Sequence, residues 1–347
     1  MSIENTLETL RCPGCHGRLA LSADHARENG NRYYHCVACD ERYPIVREVP
    51  RLLLSPLRDA LVARNTNARN DNPQIKTALS FGYEWTRFPE MYKEWEQTFL
   101  RYMQPHGAEF FRGKKVLDAG CGNGRFAYYA ARYGAELWAI DLGPAVDVAK
   151  ENTRNAGDVQ VIQADLYQPP FAPETFDFIY SIGVLHHLPQ PEAAFRNLLS
   201  YLKPSGEIQI YLYWKPEGQP LKRALLSLVR LVRHVTTRLP LRVAYGLAFP
   251  AAIAAFALFV WPYRLLKTIP GLAEIAEKLP MKQYAHFPFR VCINDQLDRF
   301  SAPIENRYTK QEVVDWFTHS GLENAAVYSN YGWVGTGRKP ATPIPSP

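Results

Sequence analysis

The sequence predicts an α/β fold: a doubly wound parallel sheet, preceded by a small cysteine module and interrupted by a helical segment. Three observations predict it. Four strand–helix units follow one another between 112 and 215, each with polar residues where the strand ends, which is how an open parallel sheet presents its ligand-binding edge. Two C-x-x-C pairs stand within residues 1–54. A basic, apolar stretch, 216–304, separates the fifth strand from a final helix and strand pair at 305–339.

At 347 residues the chain is long enough for two domains, or for one domain with a large insertion. With 47% hydrophobic and 21% charged residues it has the composition of a soluble globular protein. The polar, acidic start at Ser2, Glu4 and Asn5 lacks the apolar run of a secretory leader, and paired cysteines at metal-ligand spacing suit a reducing compartment. The expectation is a cytoplasmic protein, peripheral at the inner face of a membrane if the insertion touches lipid. The net charge of +6 is concentrated: residues 218–273 hold eight Lys or Arg and no Asp or Glu, so the rest of the chain is net acidic.

The cysteine module comes first. Cys12 and Cys15 form one knuckle and Cys36 and Cys39 a second, with 20 residues between Cys15 and Cys36. That spacing suits a four-thiolate zinc site; four protein ligands leave zinc no open position, so the site is expected to be structural. Iron in the same cage is the alternative that spacing leaves open. The opening Cys12-Pro13-Gly14-Cys15 and the ending Tyr43-Pro44-Ile45 resemble the small zinc-ribbon domain of the tRNA-methyltransferase activator family. Six Arg against seven Asp or Glu in residues 1–50 give the module no basic face for nucleic acid.

Residues 55–111 read as a linker and an N-terminal helical segment. A helical start at 57–63 gives way to a polar, loop-like run at 64–73. An aromatic-rich stretch with Phe81, Tyr83, Trp85 and Phe88 follows, then an amphipathic helix at 89–103.

The centre of the chain is 115–126. An apolar strand ends in Asp118, and Gly120, Gly122 and Gly124 follow at alternate positions before a helix. This is not the G-x-G-x-x-G of dinucleotide folds, and a carboxylate aimed at the bend would repel a diphosphate. It suits a ligand whose near end is cationic. The second strand (136–141) ends in Asp141, placed to accept from ribose hydroxyls, and the third (159–165) ends in Asp165.

Residues 116–126 resemble motif I of the class I S-adenosylmethionine (SAM)-dependent methyltransferases. The resemblance covers 112–214 and 305–339, and implies a seven-stranded Rossmann-like methyltransferase sheet with SAM as cofactor. It further implies that Asp118, Gly120, Cys121, Gly122, Asn123 and Gly124 surround the methionine end, Asp141 and Leu142 the ribose, and Ala164, Asp165 and Leu166 the adenine, with Ser181 at the fourth strand's end. Tyr83, Trp85 or Arg87 would reach the cofactor if the preceding segment folds over it, as it commonly does in that class. Leu185-His186-His187-Leu188-Pro189 resembles the matching loop of the ubiquinone and menaquinone C-methyltransferases, which makes His186 and His187 the candidate catalytic bases. Glu305 and Tyr308 are further candidates at the end of the insertion.

In the insertion, Leu221, Leu225, Leu228, Val232 and Val235 mark one face of a basic helix, and 243–261 then carries no charge, with Pro250 inside it. A helical cap over the active site is the expectation; an arm dipping into a membrane through 221–267 and a true span are the alternatives. A capping box, Thr309 with Glu312, opens the last helix, and 340–347 reads as a proline-rich disordered tail. The functional expectation is a SAM-dependent methyltransferase acting on a small or lipid-like molecule. The alternatives are an RNA base methyltransferase and a non-catalytic SAM-binding or docking partner. Oligomeric state does not follow from the sequence.

Overall fold

The structure is a computed structural model that describes residues 3–23, 32–62 and 72–341. The predicted polar loop up to residue 71 and most of the tail therefore lie outside the described residues. The chain divides into two compact units, one comprising Met1–Glu217 with Ile304–Pro347 and the other Gly218–Pro303.

In the first unit the elements run α1 (Ile3–Thr9), β1 (Leu19–Ala23), β2 (Arg32–Cys36), β3 (Arg42–Val46), β4 (Val49–Leu52), α2 (Ser55–Val62), α3 (Pro73–Arg87) and α4 (Glu94–Met103). The sheet proper follows with β5 (Lys115–Ala119), α5 (Arg125–Arg132), β6 (Glu136–Asp141), α6 (Val146–Thr153), β7 (Val159–Ala164), β8 (Phe176–Ile182), α7 (Pro191–Leu199) and β9 (Leu202–Leu212). The second unit supplies α8 (Pro220–Thr236), α9 (Leu241–Ala255), α10 (Trp261–Lys267), α11 (Ala273–Ala276) and α12 (Phe289–Ser301). The first unit closes with α13 (Lys310–His319), β10 (Glu323–Ser329) and β11 (Trp333–Arg338).

The sheet order is β1-β2-β3-β4-β7-β6-β5-β8-β9-β11-β10. From β7 to β9 the five strands are parallel, and β11 then runs antiparallel to β9, with β10 antiparallel to β11. These seven strands are the doubly wound, Rossmann-like methyltransferase arrangement. The expectation of a seven-stranded sheet is corrected in one respect: the sheet has 11 strands. Strand β4 leaves the cysteine module and pairs in parallel with the outer edge of β7, Arg51 opposite Gln163 and Leu52 opposite Ala164. An open strand edge satisfies its backbone groups by taking on such a neighbour. Arg51 ties the junction by donating to Asp147 at 2.5 Å and to Gln163 at 3.3 Å. The backbone of Arg11 donates to Pro170, and that of Ala172 to Thr9, so α1 is pinned to the same body.

Two local expectations also change. Helix α3 was not predicted as one helix, although its start is marked: Asn72 caps it by accepting from the Gln74 N–H at 2.9 Å, with Pro73 in the first turn. Helix α4 begins at Glu94 and not at 89, and two of the preceding carbonyls bond side chains of α5 and α6. Asn152 Nδ2 donates to Pro89 and the Tyr129 hydroxyl to Tyr92. The capping box on α13 is present in both directions, Glu312 N–H to Thr309 Oγ1 and Thr309 N–H to Glu312 Oε2.

In the second unit α9, a π-helical turn (Phe256–Val260) and α10 form one continuous helix, Leu241–Lys267. Ala244, Ala248, Ala252 and Ala255 are buried along one side, and α12 is the element most extensively packed against α9. Small side chains there let the two helix backbones approach. Phe289 of α12 meets Phe256 edge-on, ring centroids 4.9 Å apart. The side chains of Leu221, Leu225 and Leu228 lie outside those described, while Val232 and Val235 of the predicted face are exposed.

Candidate functional site

Three adjacent parallel strands end on one edge of the first unit. Asp118 is on β5, Asp141 closes β6, and Asp165 follows the last residue of β7. The bend after β5 is pinned to β6: the N–H groups of Gly120 and Cys121 both donate to the Ile140 carbonyl, at 2.8 and 2.9 Å. Asp141 braces it from the other side, accepting from Gly122 N–H at 2.9 Å and Gly143 N–H at 2.8 Å. Two of the glycines are required by sterics. Gly120 has φ +99°, and a Cβ there would lie 2.4 Å from Val184 Cγ2. Gly122 has φ +54°, and a Cβ would meet the Trp85 indole at 2.9 Å.

Helix α3 lies across this edge with one face. Gln74 donates to Asp165 Oδ1 at 2.8 Å, Gly82 passes against Pro144 just beyond β6, and Trp85 rests on Gly122 beyond β5. The Arg125 guanidinium, 4.5 Å from the Trp85 ring centroid and 4.4 Å from that of Trp95, holds the indole in place. Tyr83 stacks with Arg87 instead. The intervals 74, 78, 82 and 85 are those of a single helical face. The sequence pointed to Trp85 here but not to the single helix that carries it beside Gln74 and Gly82; the Asn72-Pro73 cap was the signal that could have revealed that helix.

The electrostatics of the edge are dominated by burial. The Asp118 carboxyl is 3% exposed and pushed up to about 8, because desolvation and the charge of Asp141 outweigh the Tyr180 hydroxyl and Arg125, which favour ionisation. Among the described residues no donor lies within hydrogen-bond distance of its Oδ2 atom, and the nearby Tyr180 hydroxyl, which favours its ionisation, has no other partner. Asp141 and Asp165 are also raised by burial, each opposed by the hydrogen bonds it accepts. A buried carboxyl oxygen without a donor fits a cationic ligand group that supplies one. The acceptors of the edge therefore fit an amino-acid nucleoside such as SAM.

The remaining sequence-predicted residues fall as follows. Asn123 is buried, accepting from Arg125 N–H and donating to the Phe88 carbonyl. Cys121 is buried, its thiol well above the ordinary range through desolvation. The Leu142 carbonyl accepts from Gln163 Nε2, Ala164 pairs with Leu52, and Leu166 is in the core. Ser181, near the carboxyl end of β8, is fully buried and its hydroxyl donates to the Ala119 carbonyl at 2.7 Å, binding β8 to β5.

His186 and His187 sit in a tight turn, Leu185–His187, after β8, and both are buried. His186 lies on Tyr213 with ring centroids 3.9 Å apart, and His187 meets Phe81 of α3 at 4.8 Å. His187 Nδ1 is 2.6 Å from the Ile304 carbonyl, which can only accept, so Nδ1 carries the proton and Nε2 is the basic nitrogen. Asn306 braces the turn by donating to the His186 and Leu188 carbonyls. Glu305 pairs with Arg307 at 2.7 Å. Tyr308 packs against Trp316, and its backbone serves Tyr213 and Trp333.

Cys12, Cys15, Cys36 and Cys39 bring their sulfurs within 4.8 Å of one another. The Cys12–Cys39 and Cys15–Cys36 separations are 3.7 and 3.4 Å, close to the ~3.8 Å expected between sulfurs of a tetrahedral zinc–thiolate site. The Tyr43 hydroxyl is 3.0 Å from Cys12 Sγ. Burial would raise the Cys36 thiol, but backbone N–H groups of Ala38 and Cys39, with the Cys15 and Cys39 thiols, bring it to about 7, while the same thiol contacts raise Cys15 and Cys39.

Comparison with known proteins agrees with this geometry. Residues 117–210 match the family described as a methyltransferase domain. Among curated relatives, the ubiquinone biosynthesis O-methyltransferase of Xanthomonas euvesicatoria is 32% identical over 154 residues, covering 40% of this chain and 64% of that protein. The mitochondrial ubiquinone biosynthesis O-methyltransferase of Schizosaccharomyces pombe is 31% identical, covering 38% and 47%. Phosphoethanolamine N-methyltransferase 1 of Triticum aestivum is 37% identical, covering 31% and 22%. The chain thus spans less than two thirds of the length of these relatives. Over residues 117–210 the chain is thus similar to a methyltransferase domain, and the sheet order is the one such a domain is expected to have.

Proposed function

We propose that this protein is a SAM-dependent methyltransferase acting on a small or lipid-like acceptor, with a structural zinc ion held by Cys12, Cys15, Cys36 and Cys39. The observation that carries the reading is the meeting of Asp118, Asp141 and Asp165 at three adjacent strand ends beside the Gly120–Gly122 bend. Asp118 would receive the ammonium of the methionine end, Asp141 the ribose hydroxyls, and Asp165 the adenine amino group. When bound, SAM supplies an electrophilic methyl group on a sulfonium.

The protein's own contribution is alignment and proton removal. Holding acceptor and donor in line supplies most of the acceleration of a displacement. An oxygen or carbon acceptor must also lose a proton, and His187, with Nδ1 committed to Ile304, can receive it at Nε2. The neighbouring rings of Phe81, Tyr211 and Tyr213 give this turn an apolar wall suited to a ring-bearing or lipid-like acceptor. The relatives' names support the class of reaction and differ in acceptor, one being an N-methyltransferase and two O-methyltransferases. The thiol-rich module supports a reducing, cytoplasmic setting.

The test is incubation of the full chain with methyl-labelled SAM and separate lipid, small-metabolite and RNA fractions of a cell extract. Label should enter a lipid or small molecule and be lost with His187→Ala. Label confined to RNA, or no transfer by protein that binds SAM, would overturn the reading.

A further inference from the structure

The second unit carries a surface that the methyltransferase reading does not use. Among the described residues, twelve of the fifteen large apolar side chains that stand exposed fall between Leu231 and Ile275. A scatter of single apolar residues over a surface is ordinary, whereas such concentration marks an interaction site. On the continuous helix Leu241–Lys267, Val243, Leu247, Phe249, Ile253, Leu258, Trp261 and Leu265 are exposed, whereas the alanine row is buried. That row, from Ala244 to Ala255, is covered by α12.

The flanks of this apolar surface are cationic. Arg238 and Arg242 stand exposed at its start, and Arg264 and Lys267 at its end, with no acidic residue in 218–273. Lys267 reaches back to Glu277, and Arg264 donates to the Ala285 carbonyl. An apolar surface with arginines at both ends and tryptophan among its members is the composition of a helix lying in the headgroup layer of an anionic bilayer.

Length and composition alone would also allow this helix to cross a membrane, but its packing argues against that. A third of its most apolar window is buried within the protein, and the partner α12 carries Arg290, Asp295, Asp298 and Arg299. A helix whose first half is packed against so charged a neighbour cannot enter hydrocarbon without taking those charges with it. The basic residues at both ends likewise match an orientation in the membrane plane and give no sidedness for a crossing.

We infer that the second unit docks the protein on anionic lipid surfaces, with the exposed apolar residues of Leu241–Lys267 facing the acyl chains and the flanking arginines the headgroups. Charge complementarity selects the lipid surface over a second copy of the chain, because two such units face to face would bring like charges together.

The test is flotation of the full chain with vesicles of phosphatidylglycerol and phosphatidylcholine, or of phosphatidylcholine alone. Retention should be at least ~10-fold greater on the anionic vesicles and should fall in high salt. The triple variant L258S/W261S/L265S should lose retention while its SAM affinity, measured in solution, is unchanged, so a failed docking proposal is distinguished from a failed cofactor reading. Should that variant not fold, brominated lipid quenching of wild-type against Trp261→Phe reports whether this indole enters the bilayer. Equal retention on both vesicle types, no retention on either, or a stable dimer that ignores vesicles would overturn the inference. Resistance to alkaline extraction would overturn the in-plane orientation.

Discussion

Asp118 makes the sharpest prediction because its charge state is set by whether the site is filled. In the empty protein its carboxyl is raised from an ordinary 3.8 to about 8 by burial. At about pH 7 roughly a tenth of the sites are then ionised, and at about pH 6 roughly a hundredth. A bound ammonium would pull the proton off, so SAM binding should release close to one proton per site near neutral pH. The apparent affinity should rise about tenfold between pH 6 and pH 7, flattening near pH 8 where the ligand's own amino group begins to lose its proton.

The same shift fixes the stability of the empty protein. A carboxyl with a raised folded-state pKa gives stability that is full below about 3.8 and lost as pH rises towards about 8. At about pH 7 the loss is at most about 4 kcal/mol. Asp118→Asn should therefore be more stable than wild type at pH 7 when empty, with the difference shrinking as pH falls towards 4. It should also bind SAM more weakly and without the pH dependence. The assay is calorimetry in two buffers of different ionisation enthalpy, alongside thermal melts of both proteins. An affinity flat from pH 6 to pH 8, with no proton release, would refute the reasoning.

Three further outcomes are expected. Asp141→Ala should weaken SAM by about 100-fold or more, since two hydrogen bonds from a charged acceptor are lost and the braces to Gly122 and Gly143 go with them, as equilibrium binding would show. Gly120→Ala should destabilise the fold by about 2 kcal/mol or more in denaturant melts, because a Cβ at φ +99° meets Val184. Removing metal from the four-cysteine site, or Cys36→Ser, should lower both the melting temperature and SAM affinity, because β4 pairs with β7 immediately before Asp165; unchanged SAM affinity would uncouple the module from the site.

Much of this was legible in the sequence where local pattern decides the outcome. Apolar runs ending in Asp118, Asp141 and Asp165 specify strands whose tips share an edge once the sheet is parallel, and the capping box at Thr309 needs only its own four residues. What escaped was non-local. Nothing in 49–52 says that its partner is β7, because an edge strand's pairing depends on which other edge is open. Helix α3 was hidden because residues 73–87 mix polar and aromatic positions, and its face is recognisable only beside the edge it covers. Ser181 sits at the expected strand end, yet its hydroxyl is claimed by Ala119, a choice that exists only after β8 and β5 pair. The insertion gave its helices by composition, but the division between the alanine side and the exposed side needs α12 in place.

The measurement that bears most directly on the central claim is equilibrium dialysis of the full chain against labelled SAM, with Asp118→Ala, Asp141→Ala and Asp165→Ala beside it. The account predicts one SAM per chain for wild type and marked loss in each variant. A folded wild-type protein that retains no label, or variants that retain as much as wild type, would contradict it.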